Sequence, residues 1–285
     1  MSINWYPGHM AKSKRILSEQ LGRVNAVVEL CDARVPIASR NPDLIALIQN
    51  KPSVLVLNKA DLADAGATKL WLNHYKQQGV NAIAIQANNK SGVQKTKQAI
   101  RNVLKDIILS NQNKGIRKTL RVMVVGVPNV GKSTFINALS KSSLVTEDRP
   151  GVTRAPQWVK LSDDLLLLDT PGLLWPKLDN ESVSRHLAYI ASVSDKVVDL
   201  YKLCIDLLNE LMELAPSLVL KRYKLDDQSL RGEELLNAIC QKRGFLLPGA
   251  QYDIDRAVNT VINEFRDGLI GRITLEKPED LSFET

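Results

Sequence analysis

The sequence predicts an α/β fold, with a mostly parallel sheet and helices on both faces, followed by a smaller α-helical domain. Two patterns lead to this prediction. Through residue 175, short β-branched runs alternate with segments of helical apolar spacing, which is typical of a parallel sheet covered on both sides. After Trp175-Pro176 the alternation stops and helical spacing dominates. We therefore expect two domains, residues 1–175 and 176–285.

The predicted strands of the first domain are short apolar runs bounded by polar or turn residues, as buried parallel strands are. They are Val24 to Cys31, Ser53 to Leu57, Ala82 to Ile85 and Leu120 to Val125, with a hairpin of Gln157 to Leu161 and Leu165 to Leu168. Helices are predicted over Asp43 to Gln49, Ala67 to Gln78, Val93 to Leu109 and Lys132 to Leu139. Asn41-Pro42 is a typical start for the first of these helices.

The second domain is predicted to be helical throughout, apart from one short strand near its end. Helical apolar spacing covers Ser184 to Ile190, Lys196 to Leu214, Arg231 to Lys242 and Ile254 to Phe265. The strand is expected at Ile273 to Leu275.

Composition favours a folded protein in the cytoplasm. The chain has 285 residues and 44% hydrophobic content, enough for a core in each domain. It contains no apolar run long enough to cross a membrane and no apolar leader, so we expect no membrane partner. Its cysteines, Cys31, Cys204 and Cys240, are widely spaced, which predicts reduced thiols rather than disulfides or a zinc site. We also expect a monomer.

The formal net charge of +7 is unevenly distributed. Residues 1–174 contain 24 Lys and Arg against 12 Asp and Glu, whereas the remainder contains 14 against 19. A basic first domain favours a polyanionic partner, with nucleic acid as the leading candidate. A basic protein without such a partner is the alternative, because charge alone does not separate the two.

A phosphate-binding loop extends from Gly126 to Ser133, between a predicted strand and a predicted helix. Its glycines let backbone N–H groups face phosphate oxygens, and the helix N-terminus adds its dipole. Lys132 is expected to neutralise the β and γ phosphates in catalysis, and the Ser133 hydroxyl to bind Mg²⁺. The nucleotide-binding residues expected here are Pro128, Asn129, Val130, Gly131, Lys132, Ser133 and Thr134.

A second metal-binding element is expected at Asp169-Thr170-Pro171-Gly172, after an apolar strand. Asp169 would hold Mg²⁺ through water, and the Gly172 N–H would meet the γ-phosphate. Thr153 is the candidate for a mobile threonine that completes the magnesium shell when γ-phosphate is present, and so acts in catalysis. A solvated Pro-Gly turn is the competing interpretation of the Thr153 segment.

Asn58-Lys59-Ala60-Asp61 has the groups that recognise guanine. The Asp61 carboxylate would accept from N1–H and the exocyclic amine, Asn58 would lie near O6 and N7, and the Lys59 stem would follow the ring. Adenine would leave Asp61 facing an acceptor, so GTP is favoured over ATP. Gln86-Ala87-Asn88 is expected to give a backbone N–H to guanine O6, with a plain loop as the alternative.

The order of these elements is inverted, because most GTP-binding domains present the phosphate loop first and the base-selecting tetrapeptide last. The sequence therefore predicts a circularly permuted Ras-like P-loop GTPase domain. The permutation places Asp169 to Gly172 at the end of the first domain, directly before the helical domain.

The motif order resembles that of the circularly permuted GTPases of the YlqF/RbgA type, the bacterial ribosome biogenesis GTPase A family. The motifs that carry the resemblance are Trp5-Tyr-Pro-Gly-His-Met10, Asp32-Ala-Arg-Val-Pro36, Asn58 to Asp61, Gly126 to Ser133, Asp169 to Gly172 and Gly268-Leu-Ile-Gly271. The resemblance implies late assembly of the large (50S) ribosomal subunit, with binding to its rRNA in the GTP state and release after hydrolysis that the ribosomal subunit stimulates.

Intrinsic hydrolysis is expected to be slow. Leu173 follows Gly172, where Ras-like enzymes have a glutamine that orients water. His9, beside Gly8 in the N-terminal arm, could orient or deprotonate the water, although an exposed histidine or an RNA contact would also explain it. Asn129 could instead help to hold K⁺ where an arginine finger would place its charge, and a polar loop residue is the alternative.

Two other functions are compatible with parts of the sequence. A regulatory GTPase could act on a protein or membrane through the helical domain, with a shallower salt dependence than RNA binding. A GTP-dependent RNA-modifying enzyme would need further catalytic residues in the helical domain, and the sequence offers no clustered nucleophiles or metal ligands there.

Overall fold

A computed structural model describes residues 15, 17–116, 118–140, 157–170 and 180–283. In this part of the chain, a six-stranded sheet has the order β3-β2-β1-β4-β6-β5. The strands are β1 (Ala26–Asp32), β2 (Ser53–Asn58), β3 (Ala82–Ala84), β4 (Leu120–Val125), β5 (Gln157–Ser162) and β6 (Leu165–Asp169). All neighbours are parallel except β5 and β6, which form the predicted antiparallel hairpin.

The helices of the first domain are α1 (Pro42–Ile48), α2 (Ala65–Gln77), α3 (Lys90–Val103), α4 (Lys105–Asn113) and α5 (Lys132–Ser140). Both faces of the sheet are covered. Val28, Val56 and Val124 pack in the largest core cluster with α3 and α5, while Val27 and Met123 pack on the other face with α1. This arrangement confirms the predicted α/β fold with a mostly parallel sheet.

The predicted helix from Val93 to Leu109 is divided into α3 and α4 at Leu104. The backbone departs from helical geometry at Leu104 (φ −96°, ψ 0°), whose side chain is buried in the core. The bonds from Leu104 N to Ile100 O (3.2 Å) and from Ile108 N to Leu104 O (2.9 Å) still follow the i to i−4 pattern. The prediction of one long helix from Val93 to Leu109 was therefore wrong at Leu104, and the two helices together extend further, from Lys90 to Asn113.

The C-terminal region, predicted as the second domain, is a helical bundle of α6 (Glu181–Tyr189), α7 (Leu200–Leu214), α8 (Pro216–Tyr223), α9 (Gly232–Arg243) and α10 (Ile254–Arg266). The boundary predicted between residues 175 and 176 lies outside the described residues. Helix α7 lies at its centre and contacts the other four. Its buried stripe follows helical spacing, with Leu203, Leu207 and Leu211 on one face. The sequence analysis did not predict α8, which begins with Pro216 at its first turn.

The last part of the chain leaves the bundle and returns to the first domain. The Ile273 N–H donates to Leu62 O (3.1 Å), and the Leu275 N–H donates to Arg34 O (2.8 Å). Since these two hydrogen bonds reach different loops, no strand ladder forms, and the strand predicted at Ile273 to Leu275 was wrong. The indole N–H of Trp71 donates to Glu276 O at 2.9 Å and holds the segment against α2.

Across the described parts of the chain, no helix is long and apolar enough to cross a membrane. The thiols of Cys31, Cys204 and Cys240 are free and buried.

Candidate functional site

Four strands direct their carboxyl ends toward one edge of the sheet. At this edge, β1 ends at Asp32, β2 at Asn58 and β6 at Asp169, and the phosphate loop follows β4. In parallel α/β sheets, ligands bind at this edge because the loops after neighbouring strands meet there.

The phosphate loop depends on two glycines that no other residue could replace without strain. Gly126 (φ +151°) lies so close to β1 that an added Cβ would be 2.4 Å from Leu30 O. Gly131 (φ +91°) would place a Cβ 2.6 Å from Nδ2 of Asn58. Both positions need the left-handed backbone and the missing side chain. The loop therefore lies directly against the ends of β1 and β2.

Lys132 is buried at the start of α5, and its ammonium donates to Val127 O at 2.8 Å, across the loop. Burial lowers the pKa of Lys132 to about 8, and the negative charge of Asp169 opposes this effect. The ammonium is thus held where phosphate oxygens would compensate for its lost hydration.

Ser133 and Asp169 are brought together as a pair of oxygen donors. The Ser133 hydroxyl donates to Oδ2 of Asp169 at 3.4 Å, and Asp169 is almost fully buried. A hydroxyl and a carboxylate beside a phosphate loop fit Mg²⁺, which takes oxygen ligands and is usually held by one or two protein groups plus substrate phosphates. The neighbouring Thr170 hydroxyl donates to Val124 O at 2.6 Å and fixes the start of this loop against β4.

Asn58 links three loops through one buried side chain. Its Nδ2 donates to Val130 O in the phosphate loop at 2.8 Å, and its Oδ1 accepts from the Ala87 N–H at 3.1 Å. The Asn58 to Asp61 tetrapeptide, the phosphate loop and the Gln86 to Asn88 loop therefore meet at Asn58. Within that last loop Gln86 and Asn88 are exposed, while Ala87 is buried against Asn58.

Lys59 adopts a left-handed conformation (φ +57°), and its ammonium donates to Asn129 O at 2.9 Å. Asp61, two residues later, is half-buried at the same edge, and Thr134 is half-buried in the first turn of α5. The tetrapeptide is thus fixed to the phosphate loop through both Asn58 and Lys59.

The phosphate loop also contacts the helical domain directly. Nδ2 of Asn129 donates to Ala191 O at 2.6 Å, and the Ser192 hydroxyl donates to Pro128 O at 2.5 Å. Ala191 is in the left-handed region (φ +58°), in the turn after α6. The sequence analysis did not find these contacts, because neither residue of the turn belongs to a recognisable pattern.

Asp32 and Arg34 form a buried pair beside Lys59, which the sequence analysis quoted only as part of a motif. Nε and Nη2 of Arg34 donate to the two oxygens of Asp32 at 2.9 and 2.8 Å, and Nζ of Lys59 lies 3.3 Å from Oδ2. Burial opposes ionisation of Asp32, but the charges of Arg34 and Lys59 outweigh it and hold the pKa well below its ordinary value. An acidic residue at the end of an apolar strand, at the ligand-binding edge, was the signal available in the sequence.

Three predicted site residues lie outside the described residues: His9, Thr153 and Gly172. The same holds for Arg149 and Arg154, which flank Thr153.

The fold and this edge of the sheet define a circularly permuted P-loop GTPase domain, since the loop of Asn58 to Asp61 precedes the phosphate loop in the chain yet contacts it in space. Comparison with known proteins agrees. Residues 121–241 match the family model "50S ribosome-binding GTPase", and residues 43–179 match the model "RsgA GTPase".

Relatives align with this chain over nearly its whole length. Ribosome biogenesis GTPase A of Bacillus pumilus is 41% identical over 98% of this chain and 100% of its own length. The protein of the same name from Bacillus licheniformis is 40% identical over 99% of this chain and 100% of its own length. The chain belongs to the ribosome biogenesis GTPase A family.

Solved structures are consistent with this assignment. The GNP-bound YlqF from T. maritima aligns with a TM-score of 0.65 at 28% identity, covering 94% of this chain and 99% of that chain. A GDP-bound TM YlqF aligns with a TM-score of 0.66 at 28% identity, covering 93% of this chain and 100% of that chain.

Proposed function

We propose that this GTPase of ribosome biogenesis acts in late assembly of the large ribosomal subunit. In this proposal the GTP form binds the pre-subunit and its rRNA, the subunit stimulates hydrolysis, and the GDP form is released. The observation that supports it most is the pair of contacts from Asn58 and Lys59 to the phosphate loop, since one nucleotide can then touch both elements. Family membership supplies the context of ribosome assembly.

The nucleotide would lie along the carboxyl edge of the sheet. Asp61 would read guanine N1–H and the exocyclic amine, while the Lys59 stem would cover the ring. Backbone N–H groups of Asn129 to Thr134 would surround the phosphates, with Lys132 neutralising their charge. Gln86 to Asn88 would close the base pocket, and the Gly172 N–H would meet the γ-phosphate.

Ser133 and Asp169 would hold Mg²⁺, with Thr153 joining them in the GTP state. The metal would supply positive charge between the β and γ phosphates. The hydroxyl and carboxylate oxygens of these residues match what Mg²⁺ prefers.

Water activation is proposed to involve His9, because Leu173 cannot orient a nucleophile. Replacing His9 by Ala should sharply reduce hydrolysis in the presence of ribosomal subunits and spare GDP affinity. Unchanged turnover would reject this role.

A K⁺ ion near Asn129 is a further part of the proposal. The hydrogen bond to Ala191 uses the amide nitrogen of Asn129, whereas a cation would bind the amide oxygen. Identical hydrolysis rates in sodium and potassium salts would argue against K⁺.

The basic first domain supports rRNA as the partner, and we propose that the protein acts as a monomer in the cytoplasm. The test is co-sedimentation with large subunits in GTP-analogue and GDP forms, combined with turnover with and without subunits. Equal subunit affinity in both forms, or no stimulation, would remove the proposal. A shallow salt dependence of binding would instead favour a regulatory GTPase with a protein partner.

A further inference from the structure

An ion pair and a series of hydrogen bonds connect Lys59 to the helical domain. The connection starts at Lys59, whose ammonium is 3.3 Å from Oδ2 of Asp32, and continues through the two hydrogen bonds from Arg34 to Asp32. The Asp32 side chain has no exposed surface, and the Arg34 side chain is 2% exposed. Water therefore does not compete for the two Asp32–Arg34 hydrogen bonds, and the position of one side chain constrains the other.

Arg34 reaches the helical domain with its remaining nitrogen. Nη1 donates to Phe265 O and Arg266 O, both at 3.0 Å, and the guanidinium lies 5.2 Å from the centre of the Phe265 ring. These carbonyls belong to the last turn of α10, where helical partners run out. A cation at the C-terminal end of a helix also interacts favourably with the helix dipole. Arg34 thus fixes the end of α10 to β1.

The same end of α10 holds the turn that contacts the phosphate loop. Arg266 donates to Tyr189 O (3.1 Å) and Ala188 O (3.0 Å) at the end of α6, and forms two hydrogen bonds with Asp195. The next residues in the chain include Ala191, which accepts from Asn129. Because Asn129 O accepts from Lys59, the circuit closes on the residue where it began.

The fork geometry of Arg34 is what makes this connection possible. One guanidinium binds both carboxylate oxygens and two carbonyls, whereas an ammonium is a point charge with three donors. Loss of the fork would leave the Asp32 carboxylate with the backbone N–H of residue 34 (3.1 Å) and Lys59. The Lys59 ammonium would then move toward the carboxylate and away from Asn129 O.

We propose that Arg34, acting through Asp32, is a positioning residue: it makes the position of the Lys59 ammonium depend on the position of the end of α10 in the helical domain. A partner that displaces the end of α10 then weakens nucleotide binding without touching the nucleotide. By reciprocity, bound nucleotide stabilises the end of α10. The inference rests on the proposed role of Lys59 in binding guanine.

The experiment compares Arg34→Lys with Arg40→Lys in the full-length protein. Arg40 is a matched control, because it also forms two hydrogen bonds with a buried carboxylate of β1, Glu29, at 3.0 and 2.7 Å. It stacks over Tyr75 of α2 instead of reaching α10. Both variants should lower Tm, but Arg34→Lys alone should raise the Kd for GDP, by about tenfold.

A double-mutant cycle tests the route. In a Lys59→Met background, Arg34→Lys should change the Kd for GDP less than about twofold, because the residue that it positions is gone. Amide hydrogen exchange measures the stability of the end of α10 in the helical domain. GDP should slow exchange of the amides of residues 267–269 in the wild type and in Arg40→Lys, and not in Arg34→Lys.

Three results would overturn the inference: equal effects of the two arginine variants on GDP affinity, additive effects of Arg34→Lys and Lys59→Met, or GDP protection of residues 267–269 that persists in Arg34→Lys. Each of these presumes a wild type that binds GDP. A wild type that does not bind GDP would remove the proposed function together with this inference.

Discussion

At the scale of residues, burial sets the chemistry of the site more than residue identity does. The sequence predicts Lys132 as a phosphate ligand, but only the structure shows that burial lowers its pKa to about 8. Likewise Asp61 is recognisable from its tetrapeptide in the sequence. Only the structure shows that this tetrapeptide contacts the phosphate loop, through the hydrogen bond from Asn58 to Val130 O. Both residues give testable consequences.

Nucleotide affinity should decrease as pH rises above 8. In the free protein the Lys132 ammonium then loses its proton, whereas bound phosphates raise its pKa again, so binding must take up a proton. Between pH 8 and 9 the affinity for GDP should fall about fivefold, and above pH 9 the loss should approach tenfold per pH unit. Calorimetry in buffers of different ionisation enthalpy measures the proton uptake. A Lys132→Met variant should show none, and equal uptake in both proteins would contradict the assignment.

Asp61→Asn should change the base preference from guanine to xanthine. The amide introduced at position 61 would donate where the carboxylate accepted, which suits the oxygen at C2 of xanthine and repels the amine of guanine. GTP affinity should fall by roughly a hundredfold or more, while XTP becomes the preferred ligand. Competition binding measures both. Asp64→Asn is the control, since Asp64 caps α2 from an exposed position in the same loop. Retained GTP preference in Asp61→Asn would place the base elsewhere.

At the scale of elements, local pattern predicted most helices and strands, and tertiary contacts altered their ends. The buried strands are nearly continuous apolar runs, interrupted by Glu29 in β1 and Arg121 in β4, so β1, β2 and β4 were recognisable from their sequences. The break between α3 and α4 at Leu104 and the absence of strand pairing at residues 273–275 were not recognisable from the sequence. Each depends on what the segment packs against. In the phosphate loop, the sequence identifies the two glycines, but only the structure identifies the atoms of Leu30 and Asn58 that lie close to them.

A comparison of Gly131→Ala with Gly79→Ala should separate two costs of adding a Cβ to a glycine: backbone strain and steric contact with a neighbouring atom. Both glycines have positive φ, but only at Gly131 would the Cβ meet another atom, Nδ2 of Asn58 at 2.6 Å. Gly79→Ala should cost about 1 kcal/mol of unfolding free energy and leave GDP affinity unchanged. Gly131→Ala should cost roughly 2 to 3 kcal/mol and also weaken GDP binding, because Asn58 must move. Chemical denaturation and GDP titration measure these effects; equal behaviour of the variants would show that the contact is unimportant.

At the scale of the whole molecule, one histidine joins the helical bundle, the C-terminal segment and the first domain. Nδ1 of His186 lies 2.8 Å from Oε1 of Glu276, and Nε2 lies 2.7 Å from Oε1 of Glu210. Glu276 also accepts from the backbone N–H groups of Ile37 and Ala38, after β1. Burial opposes protonation of His186, but hydrogen bonds to the two carboxylates outweigh it and raise the pKa to about 10. The sequence predicts a helix over Ser184 to Ile190, which contains His186, but it does not reveal these partners.

His186 should stabilise the fold most at low and neutral pH. Its pKa is raised from 6.5 to about 10 on folding, so its contribution is complete below pH 6.5 and is lost as the pH rises through about 10. His186→Gln should lower the free energy of unfolding by about 3 kcal/mol at pH 6. The difference between wild type and variant should shrink toward pH 10.

The companion variant Glu210→Gln removes one of the two carboxylates that bind His186. It should therefore move the pH at which the stabilisation is lost below 10. Denaturation from pH 6 to 10.5 measures this, and parallel pH curves for wild type and His186→Gln would exclude a protonated histidine.

The sequence by itself determined the class of fold, the nucleotide and the permuted order of the motifs, because apolar periodicity and short phosphate-binding and base-reading patterns are local properties of the chain. Only the tertiary structure decided how the two domains are joined. The side chains of Arg34, Arg266 and Asn129 donate hydrogen bonds to backbone carbonyls that are far away in the sequence. A carbonyl is present at every residue. No residue pattern identifies which carbonyl is chosen, since packing alone brings it within hydrogen-bonding distance.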